Sequence, residues 1–139
     1  GAIGDSMGQP FENKAAPIEY QEYSPWRISD DTQMTLATCE AIIKVGQVSP
    51  EAIAEQFLLW YRKRKITGMG ASTLKALRDL DMGAHWALSG AQGENSLGNG
   101  AAMRIAPLAF LMLPSEKIVL PFVMYVELPI KAMKRILVP

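Results

Sequence analysis

The sequence predicts an all-α single domain, and three observations carry that prediction. Apolar residues recur at helical spacing in several segments, while no convincing strand alternation occurs before the C-terminal tail. Helix starts and stops punctuate the chain, with Ser-Asp-Asp, Ser-Pro-Glu and glycine-rich approaches opening the helices and Gly46 closing one of them. At 139 residues, of which 49% are apolar, the chain is long enough to bury one real core.

Composition narrows the function classes. Fourteen Lys and Arg balance fourteen Asp and Glu, and no basic block occurs, so nucleic acid is not an expected partner. No run of 18 or more apolar residues exists, so no membrane span is expected. The N-terminus has no basic region and its apolar run is broken by glycines, so no signal peptide is expected, and residues before Gly1 are expected to be missing. The single cysteine, Cys39, rules out an internal disulfide and fits either a reducing, cytoplasmic setting or indifference to redox, and it reads as a small core residue.

Taken in order, Gly1–Glu12 (GAIGDSMGQPFE) sets glycines three and four apart, along one face of a helix. Three glycines cost a helix about 3 kcal/mol relative to alanine, which predicts a close backbone approach there. Asp5 and Glu12, seven apart, would share a face. Residues 13–28, with Pro17, Tyr20, Tyr23, Pro25 and Trp26, read as an ordered loop. A helix then runs from Asp31 to about Val45, with apolar positions 34, 37, 41, 42 and 45, and stops at Gly46. Ser49-Pro50-Glu51 starts the next, which runs to about Lys65 on an apolar face of Ile53, Phe57, Trp60 and Tyr61. Its basic end, Arg62–Lys65, suits the negative helix terminus.

Thr67-Gly68-Met69-Gly70-Ala71-Ser72 is a glycine-rich approach to a helix from Ser72 to about Leu80. Such an approach exposes N–H groups that can cradle phosphate, and a plain turn is the alternative. It lacks the Lys of a Walker loop and the preceding strand of a dinucleotide fingerprint. Residues 83–97 read as loop with a short helical piece around Trp86, and the lone His85 as solvated. Ser96-Leu97-Gly98-Asn99-Gly100 is a second glycine-rich approach, to a helix from Ala101 to about Leu113 that Pro107 should kink.

Ser29-Asp30-Asp31-Thr32 is the stretch with the most chemistry. Ser, Asp and Thr side chains accept the unpaired N–H groups of a first helical turn, so an acidic N-cap is one reading. Adjacent carboxylates also repel each other, and a hard divalent cation relieves that repulsion, so a metal site is the other.

With these pieces in sequence, the chain resembles the ADP-ribosylglycohydrolase family, which includes the dinitrogenase-reductase-activating glycohydrolases. The matching stretches are GAIGDSMGQPFE, SDDTQMTLA, GMGAST and SLGNGAAMRIAPLAF, in the family's order and spacing, up to about Leu113. The resemblance implies an all-α fold with two divalent cations, Mg²⁺ or Mn²⁺, in a cleft. It also implies hydrolysis of the bond joining ADP-ribose to a protein side chain or a related conjugate. By motif, Ser29, Asp30 and Asp31 would be metal ligands, with Ser29 where threonine is usual. Glu12 would be the acidic residue near the cations that acts in catalysis, Gly68, Gly70 and Ser72 would follow the diphosphate, and Ser96, Leu97, Gly98 and Asn99 would line the ribose and phosphate pocket.

The resemblance implies two further motifs after Leu113, a THxxxxA stretch and a D-x-D-S/T loop with the remaining metal ligands, and neither is present. Residues 1–114 therefore read as the N-terminal part of the family domain, and 115–139 as a divergent tail. Codons for Tyr125–Pro139 can be chosen so that, read one base out of register, they encode CRVTHKSNEAYFGA, which contains THKSNEA. Our hypothesis is a frameshift between about Leu113 and Tyr125, followed by a premature end, and an in-frame gene sequence that continues the family pattern would refute it. This reading predicts a weak cation site, little hydrolase activity alone, and self-association through exposed apolar surface. The alternatives are a non-catalytic ADP-ribose-binding or structural relative, and an inactive gene remnant.

Overall fold

The computed structural model describes residues 1–12, 14–17, 19, 26–90, 100–109 and 111. Five α-helices run in order among them: α1 (Ala2–Gly8), α2 (Asp30–Val45), α3 (Pro50–Arg62), α4 (Ala71–Asp81) and α5 (Ala106–Ala109). Short 3₁₀ turns at Gln9–Phe11, Trp86–Leu88 and Ala102–Arg104 join them. The described residues form no strand, as the spacing of apolar positions predicted. None of their helices is long and apolar enough to cross a membrane.

α2 is the central element and packs chiefly on α3. It starts one residue earlier than predicted, because Ser29 itself is the N-cap and accepts the Asp31 N–H at 3.2 Å. Gly46 ends it with φ +72°, a left-handed conformation that a Cβ would oppose. Met34, Ala37, Ala41 and Ile42 are buried, whereas Val45, predicted to be inside, is exposed in the last turn. Against these residues α3 sets Ile53, Phe57 and Trp60, and α4 sets Leu77. Glu40 on α2 fastens the pair by accepting from Gln56 Nε2 at 2.6 Å and Trp60 Nε1 at 2.7 Å.

α3 stops at Arg62 rather than Lys65, since Lys63 has left the helical basin and Arg64 has φ +54°. α4 extends a residue at each end beyond its predicted span. The helix predicted from Ala101 is broken rather than kinked. A 3₁₀ turn ends at Arg104, and α5 restarts at Ala106 with Pro107 in its first turn. Proline has no N–H to donate to a preceding turn, so it suits a restart better than a continuous helix.

The close approach predicted at the N-terminal glycines is not found. A Cβ on Gly1, Gly4 or Gly8 would meet nothing within 4 Å among the described residues. Nor do Asp5 and Glu12 share one helical face, because α1 tightens into a 3₁₀ turn at Gln9 and the backbone is extended at Glu12. Cys39 is half-buried on α2, and His85 is exposed, with Nδ1 accepting the Ala87 N–H. Half of the loop predicted over residues 13–28, the pocket residues Ser96, Leu97, Gly98 and Asn99, and the tail 115–139 lie outside the described residues.

Candidate functional site

The acidic turn is built from α1 and the start of α2. Ser29 is buried and extended, at φ −83° and ψ −175°, so the chain enters α2 with Asp30 and Asp31 in the first turn. Across from it, Asp5 on α1 accepts the Ser29 N–H at 2.9 Å through Oδ2. Burial pushes the Asp5 carboxyl up, but hydrogen bonds from Ser29 and Thr32 outweigh it and leave the group below its ordinary value. Asp5 is thus a second cap on α2, reaching from a separate helix.

Asp30 behaves in the opposite way. Its pKa rises from 3.8 to about 6, first through burial and then through the charges of Asp31, Glu12 and Asp5. Its own backbone N–H favours the carboxylate and loses to those effects. Burial, followed by the charge of Asp5, raises Asp31 as well. A helix N-terminus ordinarily stabilises acids, so here negative charge has accumulated beyond what the helix dipole offsets. Glu12 is exposed at the end of the 3₁₀ turn and belongs to this group through its charge.

The donor chemistry fits a hard dication: carboxylate and hydroxyl oxygens, with net negative charge and no described Lys or Arg shifting Asp30. No three His, Cys, Asp or Glu side chains converge as a ligand set among the described residues. Beside the turn opens a cleft of about 280 Å³ lined by Asp5, Asp31, Thr32, Thr35, Met103 and Ala106, together with the start of α1.

The first glycine-rich loop adjoins the acids. Gly68 has φ +77°, and a Cβ there would lie 4.0 Å from Asp30 Oδ1. Gly70 is the N-cap of α4, with no side chain capping it, and Ser72 is half-buried in the first turn. The N-terminal N–H groups of α4 are therefore not taken up by a side-chain cap. A Cβ on Gly100, next after the undescribed 96–99 segment, would lie 3.4 Å from Thr73 Oγ1 of α4. Of the residues singled out by motif, Glu12, Ser29, Asp30, Asp31 and Gly68 are gathered on one side of the bundle, with Gly70 and Ser72 following at the start of α4.

Two polar residues that hold this arrangement were not assigned a role from sequence. Asp5 was noted as an acid, but its partner is 24 residues away, beyond any local pattern. Gln33 lies inside the SDDTQM motif and looked like part of the helix, yet it bonds to Thr67, 34 residues away.

These features define a helical domain with an acidic helix start set against a glycine-rich one, and comparison with known proteins assigns it. The ADP-ribosylglycohydrolase family model matches residues 1–122, and the chain belongs to that family. It is 29% identical over 127 residues to the ADP-ribosyl-[dinitrogen reductase] glycohydrolase of Rhodospirillum rubrum, covering 81% of this chain and 42% of that protein. It is 27% identical over 124 residues to an uncharacterized protein of Archaeoglobus fulgidus, covering 79% of this chain and 40% of the other. The chain thus spans about two-fifths of the length of these relatives. No solved structure matches it significantly.

Proposed function

We propose that this chain carries the ADP-ribose-facing part of a divalent-cation-dependent hydrolase that releases ADP-ribose from a modified protein side chain or a related conjugate. One observation carries the reading: the carboxylate of Asp30 lies beside Gly68, so the acidic turn and the glycine-rich loop form one continuous polar surface. ADP-ribose has matching parts, a ribose with hydroxyls for the oxygen-rich turn and a diphosphate for the N–H groups at the start of α4. The family membership and the name of the Rhodospirillum rubrum relative point to the same substrate class.

In this reading Ser29, Asp30 and Asp31 would hold Mg²⁺ or Mn²⁺. When bound, such a cation binds hydroxyl oxygens and lowers the pKa of water. Glu12 is exposed, with its carboxylate free of the capping duty that occupies Asp5. It would take the proton from attacking water or stabilise positive charge developing at the anomeric carbon. Water adds to C1″ of the ribose as the bond to the acceptor breaks, and the acceptor leaves with a proton.

A second reading is ADP-ribose binding without turnover. Calorimetry with ADP-ribose, with and without Mg²⁺ or Mn²⁺, tests the shared part of both readings, and no binding in either condition would refute both. Release of ADP-ribose from a modified peptide would then support the hydrolase over the binder, whereas little or no release is expected of both in a chain with an incomplete cation site.

A further inference from the structure

Gln33 joins the two halves of the polar surface. It is buried, 7% exposed, in the first turns of α2. Its Nε2 donates to the Ile28 carbonyl at 3.0 Å and to Thr67 Oγ1 at 3.0 Å. Its Oε1 accepts the Thr67 N–H at 2.7 Å. The amide can face only one way, because a flip would set its N–H groups against the Thr67 N–H and its oxygen against the Ile28 carbonyl. Both N–H hydrogens and one oxygen lone pair are used, so the desolvation of this buried amide is offset.

The bonded residues show what the amide does. Ile28 immediately precedes the Ser29-Asp30-Asp31 turn, and Thr67 immediately precedes Gly68. One rigid side chain therefore fixes the end of one polar loop against the start of another, 34 residues away. The separation between Asp30 and Gly68 follows from it. An apolar residue of equal volume could fill the space but could not set this register.

We propose that Gln33 is the positioning residue that holds the acidic turn and the glycine-rich loop at the spacing needed to engage one ligand through both its ribose and its diphosphate. The proposal rests on the function proposed above, and it concerns the coupling of two subsites rather than the existence of either.

The test compares the wild-type chain with Gln33→Met by calorimetry, using Mn²⁺ alone, inorganic pyrophosphate alone, and ADP-ribose with Mn²⁺. Hydrogen exchange at the Thr67 amide is followed in parallel. We expect Gln33→Met to keep its Mn²⁺ and pyrophosphate affinities within about twofold and to lose about tenfold or more for ADP-ribose, with faster Thr67 exchange. An unchanged ADP-ribose affinity overturns the proposal, and so does an equal loss for all three probes, which a general loosening of the bundle would cause. If Gln33→Met does not fold, Thr67→Val decides: it removes one hydroxyl acceptor from an exposed residue and should still weaken ADP-ribose selectively. A wild-type chain that binds none of the probes would refute the functional reading and the register with it, whereas wild-type binding that the variants leave unchanged would refute the register alone.

Discussion

The Asp5 carboxylate accepts the backbone N–H of Ser29 at 2.9 Å, and so one helix caps the next across 24 residues of sequence. Ser29 in turn accepts the Asp31 N–H. The acidic turn is therefore held from outside as well as from within, and its carboxylates are presented by a backbone with little freedom to relax away from one another.

Asp5→Ala should consequently cost more than loss of an exposed acid. It leaves the buried Ser29 without the partner of its N–H, at about 1.5–3 kcal/mol for a bond to a charged group. Asp5→Asn keeps an acceptor oxygen and should lose less. Urea unfolding at neutral pH ranks the three proteins, and equal stability of Asp5→Ala and wild type would show the cap to be dispensable.

The pH dependence should run against the habit of acidic residues. The folded-state pKa of Asp30 is raised from 3.8 to about 6, so its contribution is fully present below the unfolded value and is lost as pH rises through about 6. Asp31 has the same sign. Asp5, which is lowered, loses its contribution only as pH falls below the ordinary carboxylate value. The cation-free chain should then melt at progressively lower temperature between about pH 4 and 7. Asp30→Asn should flatten that slope, and Mg²⁺ or Mn²⁺ should oppose it at the upper end. A melting temperature that rises steadily across this range would contradict the account.

Glu40 separates the stability of the bundle from the function of the site. Its Oε2 accepts from Gln56 and Trp60, both nearly buried on α3. Glu40→Ala leaves two donors poorly satisfied, although water can follow because Glu40 itself is exposed. About 2 kcal/mol of destabilisation is expected in chemical denaturation. Binding of ADP-ribose per folded molecule should be unchanged, since Glu40 lies three turns along α2 from Asp30. A parallel loss of affinity would mean that the α2–α3 contact reaches the site.

Local rules made much of the fold legible. Ser29, Gly46, Ser49 and Pro50 announce helix ends through chemistry that needs only near neighbours. Helical spacing identified Met34, Ala37, Ile53 and Phe57 as core. Val45 broke the pattern, being exposed in the same last turn of α2 in which Ile42 is buried, and the Ala101 segment did so because Pro107 starts a helix instead of bending one. The motifs marked Asp30, Asp31 and Gly68, but not what keeps them together. That task falls to Asp5 and Gln33, whose bonds connect residues 24 and 34 apart and leave no periodic trace.

Gly68 is where backbone conformation and site chemistry meet. Its φ of +77° lies in the left-handed region, and its missing side chain leaves the approach to Asp30 open. Gly68→Ala puts a methyl 4.0 Å from Asp30 Oδ1, an ordinary contact that forces no clash. The stability cost should therefore be the backbone cost alone, roughly 1–2 kcal/mol. Binding should suffer more, because the methyl occupies the junction between acidic turn and glycine-rich loop and shields Asp30 from a ligand. A loss of about tenfold in ADP-ribose affinity corresponds to about 1.4 kcal/mol, measured by titration at a temperature where both proteins are fully folded. Gly70→Ala is the matched control: φ there is −63° and a Cβ would meet nothing within 4 Å among the described residues, so stability should hardly change. If Gly68→Ala bound ADP-ribose as tightly as wild type, the ligand could not lie across the Asp30–Gly68 junction, and the two loops would have to be assigned to separate ligands.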